Sequence, residues 1–245
     1  MILETILNTN KIDISWQDCI HHALNKMNPQ YLKNLNQCSN WLPGPEKIFN
    51  AFKLPVHAVN YVLFGESPYP RSLSANGYAF WDDSVQELWC ETGLSKTVNR
   101  ATSLRNLIKM LLVAEGLLHP SHTGQPDIAK VDKSALVQTN TALFQHFLKK
   151  GFLLLNASLV LQDASVQKDA KSWQPFIQSV LDFLYHARPN AMLILFGNIA
   201  HAIDPLIRHP SIKRLYSEHP YNISFIQNDK IINFFKPLHL LRSNG

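Results

Sequence analysis

A chain of 245 residues, 46% of them hydrophobic, is long and apolar enough for one full core, so a single domain over 1–245 is the expectation. Its formal net charge of +5 permits a polyanionic partner without demanding one, since charge of this size also serves solubility. The cysteines Cys19, Cys38 and Cys90 are odd in number and lack metal-ligand spacing. They argue against a disulfide scaffold and for a reducing, cytoplasmic setting, and the sequence shows neither a signal peptide nor a membrane span.

In chain order, Ser15 reads as an N-cap, and Trp16, Ile20, Ala23, Leu24 and Met27 recur at helical spacing until Asn28-Pro29 stops the run. A second short helix is predicted over 31–38. The segment Trp41-Leu42-Pro43-Gly44-Pro45 cannot continue a helix, and 46–51 forms a brief one. Residues 59–64, rich in β-branched and aromatic side chains, read as a buried strand. Gly65, Pro68 and Pro70 then punctuate a sharp turn that holds Glu66, Ser67 and Tyr69 at the carboxyl end of that strand, where open α/β sheets bind their ligands. A second short apolar segment, 77–81, follows.

Leu104, Leu107, Ile108, Leu111 and Leu112 mark an amphipathic helix capped by Thr102 or Ser103. Residues 119–133 read as a loop, and His119 and His122 within it find no third ligand at a convincing spacing, so no metal site is expected. A helix over 135–149 closes on Lys149, Lys150 and Gly151, which suits both its dipole and its C-cap. A buried strand over 152–155 ends at Asn156, and 157–171 reads mostly as loop. A long amphipathic helix (173–187), a strand (191–196), a helix (199–207), a fourth strand (213–216), a loop over 218–224 and a last helix (229–241) complete the chain. Strands alternating with helices imply a parallel sheet covered on both faces, an α/β fold organised as a three-layer α/β/α sandwich with a central four-stranded parallel sheet.

Several separated segments carry a resemblance. Gly65-Glu66-Ser67-Pro68-Tyr69-Pro70 and the later Gly77-Tyr78-Ala79-Phe80 resemble the first signature of the uracil-DNA glycosylase family, G-Q-D-P-Y-H and then G-L-A-F. Ile48-Phe49-Asn50-Ala51-Phe52 is similar to the family's I-F-x-A-F, Ser103-Leu104-Arg105-Asn106 to S-L-R-N, and Leu153-Leu154-Leu155-Asn156 to L-L-L-N. Trp173 and Phe176 remain from G-W-E-x-F-T-D, and His219-Pro220-Tyr221-Asn222-Ile223-Ser224 resembles H-P-S-P-L-S. The likeness runs in order from about Trp16 to Gly245.

The resemblance implies that fold, and hydrolysis of the N-glycosidic bond of uracil or a related base in DNA. It implies that Phe80 is the plate on which the base stacks, that Tyr69 excludes thymine's methyl group, and that the amide of Asn156 pairs with the edge of the flipped base. His219 would donate to O2 of the departing base, and Ser103, Tyr221, Asn222, Ile223 and Ser224 would face the DNA, with Ile223 in the position of the family's leucine wedge. Ser67 stands where the family has its catalytic aspartate, Glu66 where it has glutamine and Pro70 where it has histidine. A hydroxyl stays neutral near pH 7 and cannot replace a carboxylate, so activity is expected to be weak or altered, with Glu66 a second candidate for the water position. The catalytic candidates are thus His219, Glu66 and Ser67. The alternatives are a catalytically inactive DNA- or base-binding protein, activity on a free nucleoside or another small N-glycoside, and an interaction scaffold that keeps only the fold. The expected partner is single- or double-stranded DNA, met by a monomer without cofactor or metal.

Overall fold

The structure is a computed structural model describing residues 12–38, 40–162 and 166–243. Asp13, not Ser15, caps the first turn by accepting from the Ser15 N–H at 3.0 Å, and a 3-10 turn leads into helix α1 (Gln17–Asn25). The Ser15 hydroxyl instead accepts from the Val56 N–H at 3.0 Å. Helix α1 ends on a Lys26 C-cap, and Asn28 caps the next helix, α2 (Pro29–Gln37), with Pro29 where a missing N–H costs nothing. The brief helix expected over 46–51 is a run of turns and the 3-10 segment Asn50–Lys53. Strand β1 (Tyr61–Gly65) follows.

A short antiparallel hairpin, β2 (Trp89–Cys90) and β3 (Gly93–Leu94), comes next. The sequence offers no periodicity for strands this short, but the Trp89 indole donates to the Val137 carbonyl at 2.7 Å and anchors it. Helix α3 (Lys96–Arg100) is capped by Ser95. Neither Thr102 nor Ser103 caps α4 (Thr102–Ala114): Ala101 holds the cap position, with no side-chain bond. Within the expected loop lies α5 (Gln125–Ala129), whose Pro126 in the first turn is compatible with a helix start.

Helix α6 (Asn140–Lys149) begins at a Thr139 cap, because the preceding residues are extended: Leu136 bridges Arg242 and the Val137 N–H donates to the Leu241 carbonyl. Strand β4 (Phe152–Asn156) leads to α7 (Val166–Ala187), which starts earlier than the expected 173 because its first turns carry little apolar periodicity. Strand β5 (Met192–Phe196), α8 (Ile199–Ile203), β6 (Lys213–Ser217) and α9 (Asp229–Phe235) complete the order. Both α8 and α9 tighten into 3-10 turns before their predicted ends.

The sheet runs β4-β1-β5-β6. Strand β1 pairs in parallel with β4, from Tyr61↔Phe152 to Gly65↔Asn156, and on its other side with β5, from Tyr61↔Met192 to Phe64↔Leu195. Val62, Phe64, Leu153, Leu155, Leu193 and Leu195 join one core with Ile20, Ala23 and Leu24 of α1 and Trp173, Phe176, Val180 and Leu184 of α7. The alternate residues Leu63, Phe152, Leu154, Ile194 and Phe196 point to the opposite face and are equally buried. Coverage of both faces explains why the strands are continuous apolar runs, and the architecture is the expected α/β/α sandwich around a four-stranded parallel sheet.

The chain divides into two compact units, one made of the residues up to Ala79 with Gly151–Leu215, the other of Phe80–Lys150 with Tyr216–Gly245. The second has its own aromatic core, in which Trp81 stacks on Phe144 at 5.5 Å and Phe147 meets Phe235 edge-on at 6.2 Å. No helix among the described residues is long and apolar enough to cross a membrane. Cys19, Cys38 and Cys90 are free thiols.

Candidate functional site

In the first unit, β1 and β4 end side by side and the turns that follow are laced together. The Ala157 N–H donates to the Gly65 carbonyl at 2.8 Å, and the Ser158 N–H donates to the Glu66 carbonyl at 3.0 Å. Because Gly65 and Asn156 are register partners, the Asn156 side chain leans over a residue that has none. A Cβ at Gly65 would run into Asn156 Oδ1 and lie 2.9 Å from Ala79 Cβ. The Ala79 N–H in turn donates to the Leu154 carbonyl at 3.1 Å and lays the end of the following loop along β4. Gly77, with φ +86, permits that approach, since a Cβ there would strike the Lys47 carbonyl. Asn76 completes the bend by accepting from the Tyr78 N–H, while its carbonyl takes the Asn50 amide at 2.7 Å.

These close approaches place Glu66, Ser67, Tyr69 and Asn156 at one strand end. Their surroundings differ. Asn156 is only 4% exposed, and its carboxamide oxygen lies over Gly65. Glu66 is exposed, whereas Ser67 and Tyr69 are half-buried. The Ser67 hydroxyl donates to the Pro68 carbonyl at 3.4 Å.

In the second unit, Phe80 takes a left-handed backbone with φ +64, a conformation that costs a β-carbon-bearing residue about 1–3 kcal/mol. Its ring lies 6.0 Å from that of His219, inclined by 25°. His219 Nδ1 accepts the Tyr221 N–H at 3.1 Å, which places the proton of the neutral ring on Nε2. Burial holds the His219 pKa below its ordinary 6.5. The imidazole is therefore a neutral N–H donor through the neutral range.

The loop that carries His219 is fixed by side chains absent from the predicted set. The buried Asn106 of α4 donates Nδ2 to the Pro220 carbonyl at 2.7 Å and approaches that of Tyr221 at 3.3 Å. Its signal in the sequence is a polar residue between Leu104 and Leu107, on the apolar side of the helical stretch. Beyond the brace the loop opens to solvent, with Tyr221 68% and Ile223 79% exposed, and Asn222 and Ser224 exposed beside them. Ser103 is half-buried in the first turn of α4, three residues before Asn106.

His119 and His122 bring their rings to 5.6 Å, and among the described residues no group of three or more His, Cys, Asp or Glu could hold a metal ion. The first unit also has a groove of about 510 Å³ between α1 and α7, lined by Asp18, His22, Lys26, Asp182 and His186 among others. None of the predicted site residues lines it.

No family model matches the chain. It is 29% identical to the uracil-DNA glycosylase of Psychromonas ingrahamii over 198 residues, 79% of this chain and 77% of that one. It is 25% identical to that of Coxiella burnetii over 224 residues, 90% and 80% of the two chains. Among solved structures it is similar to the wild-type UNG of Nitratifractor salsuginis, with a TM-score of 0.92 and 38% identity across 98% of this chain and 96% of that one. With this identity over nearly the whole of both chains, the chain belongs to the uracil-DNA glycosylase family as a divergent member.

Proposed function

We propose that the chain hydrolyses the N-glycosidic bond of uracil or a related base in DNA, with weak or altered activity. The observation that carries this reading is the carboxamide of Asn156, 4% exposed and held over Gly65 at the end of β4. An amide presents a donor and an acceptor side by side, which suits the edge of a flipped pyrimidine. His219 adds a neutral donor at Nε2.

In the reaction, water bonds to the sugar carbon as the carbon–nitrogen bond breaks, the bonding electrons leave with the base, and the proton lost by the water passes to solvent, from which the released base anion is neutralised. Charge then grows on O2, where the His219 N–H stabilises it without moving a proton. Phe80 supplies the stacking face, Tyr69 stands against a 5-methyl group, and Ser103, Tyr221, Asn222, Ile223 and Ser224 face single- or double-stranded DNA, bound by a monomer. What the turn lacks is a buried carboxylate for the water. Ser67 cannot carry a charge near neutral pH and Glu66 is exposed. By analogy with a lost preorganised group, this costs roughly 3–4 kcal/mol, or about 10²–10³ in rate. The Ser67 hydroxyl also favours a second reading, a protein that binds DNA or a base without turnover.

Single-turnover release of base from single- and double-stranded uracil oligonucleotides separates the two. Slow release by wild type that vanishes in Glu66→Gln supports hydrolysis with a displaced carboxylate. Release by Ser67→Asp alone supports the binding protein. No release and no binding by either variant or by wild type removes both readings.

A further inference from the structure

The loop after β6 contains an anion held by neutral groups. Asn228, at the N-cap of α9, donates Nδ2 to Glu218 Oε2 at 2.7 Å, and the Ser217 hydroxyl lies 2.9 Å from the same oxygen. Asn228 spends its own Oδ1 on the Ile231 N–H at 3.2 Å, so the amide is locked in orientation. Burial works to raise the Glu218 pKa, but hydrogen bonds from its own backbone N–H, Ser217 and Asn228 outweigh it and leave the group below its usual value. Carboxylates drawn partly out of water are usually matched by a cation. Here a hydroxyl and an amide take that part, and such neutral donors are also the groups that grip phosphate oxygens in nucleic-acid complexes.

We infer that Glu218 is a specificity-determining residue that stands in for a nucleic-acid phosphate: its carboxylate occupies the donors of Ser217 and Asn228, and a phosphate engages this loop only by displacing it. The inference rests on the reading of the chain as a DNA-binding protein. It places a fixed negative charge one residue before His219, at the base of the segment that exposes Tyr221 and Ile223. The loop therefore grips a DNA backbone less tightly than its donors alone would allow.

The test compares full-length wild type, Glu218→Gln and Glu218→Ala in two assays. The first is the affinity for uracil-free oligonucleotides, single- and double-stranded, across a range of potassium chloride. The second is the response of the 217–228 backbone amides to inorganic phosphate, followed by NMR. Glu218→Gln keeps an acceptor for Asn228 and loses the charge. It is expected to bind DNA severalfold more tightly at low salt, with a salt slope steeper by roughly 0.7–0.9 for one added phosphate contact. In Glu218→Ala, phosphate is expected to shift the loop amides, and in wild type it is not. If wild type binds DNA and Glu218→Gln binds no better with the same slope, the inference falls and the DNA reading stands. If none of the proteins binds DNA but phosphate shifts the loop in Glu218→Ala alone, the stand-in holds and the DNA reading falls. Silence in both assays overturns both. Should Glu218→Ala fail to fold, the salt slope of Glu218→Gln decides.

Discussion

The turn after β1 and the loop after β6 are built by opposite means. In the first, backbone shapes the walls: Gly65 lies under Asn156, Ala79 bonds to the Leu154 carbonyl, and Gly77 lets the bend pass Lys47. The side chains that depart from the family pattern, those of Glu66, Ser67 and Pro70, sit on that frame, to which Glu66 contributes only its carbonyl. In the second, the His219 segment is held by side chains, Asn106 on one flank and Glu218 with Asn228 on the other. A site framed by main chain can lose a reactive group and keep its shape, whereas one framed by side chains couples its chemistry to its stability.

The strongest challenge to this contrast is Gly65→Ala. The added methyl meets Asn156 Oδ1 and Ala79, and overpacking a rigid site of this kind costs up to about 3 kcal/mol. Urea unfolding should show that loss together with abolished binding of free uracil. Full base binding by this variant would mean that backbone does not set the wall.

Asn106→Ala comes next. It leaves the Pro220 carbonyl without its buried donor, at about 1–2 kcal/mol, and loosens the segment that desolvates His219. The NMR titration midpoint of His219 should then climb back toward 6.5, an effect that a general loss of stability, with the loop intact, would not produce.

Phe80→Gly is expected to be neutral or to stabilise by up to about 1 kcal/mol, since glycine adopts φ +64 freely. It should still lose affinity for the base along with the ring. A variant both less stable and unimpaired in base binding would show that the ring is held for packing alone.

The smallest effect is the pH dependence from His219. Its folded pKa is depressed, so the unfolded chain takes up a proton first as pH falls below 6.5. Its contribution is complete above that value and is lost progressively as pH falls toward the folded pKa. Urea midpoints measured on either side of pH 6.5, for wild type and His219→Gln, should differ in slope with that sign.

Much of the fold was readable because the strands are apolar runs bounded by glycine or a lone polar residue. Asn156 closing Leu153-Leu154-Leu155 is the plainest case. Helix starts were less so: Asp13 rather than Ser15 accepts the first N–H, and Ala101 precedes α4 with no cap at all. Each choice depends on which backbone the rest of the molecule imposes. In the candidate site, the motif residues could be named from their order along the chain, but the braces could not. Asn106 touches Pro220 across more than a hundred residues, and Glu218 gains its meaning only when Asn228 folds back on it. Nor did the sequence reveal that Phe80 must hold a backbone other residues avoid.

The register of the sheet also bears on how the chain emerges from a ribosome. Strand β1 pairs only with β4 and β5, so Tyr61 has no ladder partner until Phe152 and Met192 have been made. During that interval an apolar strand with both edges open is a surface for unwanted pairing. The nascent chain passes through its most aggregation-prone stage with residues 80–150 already synthesised, so overexpression should be limited by synthesis rate and chaperone supply more than by the stability of the finished fold.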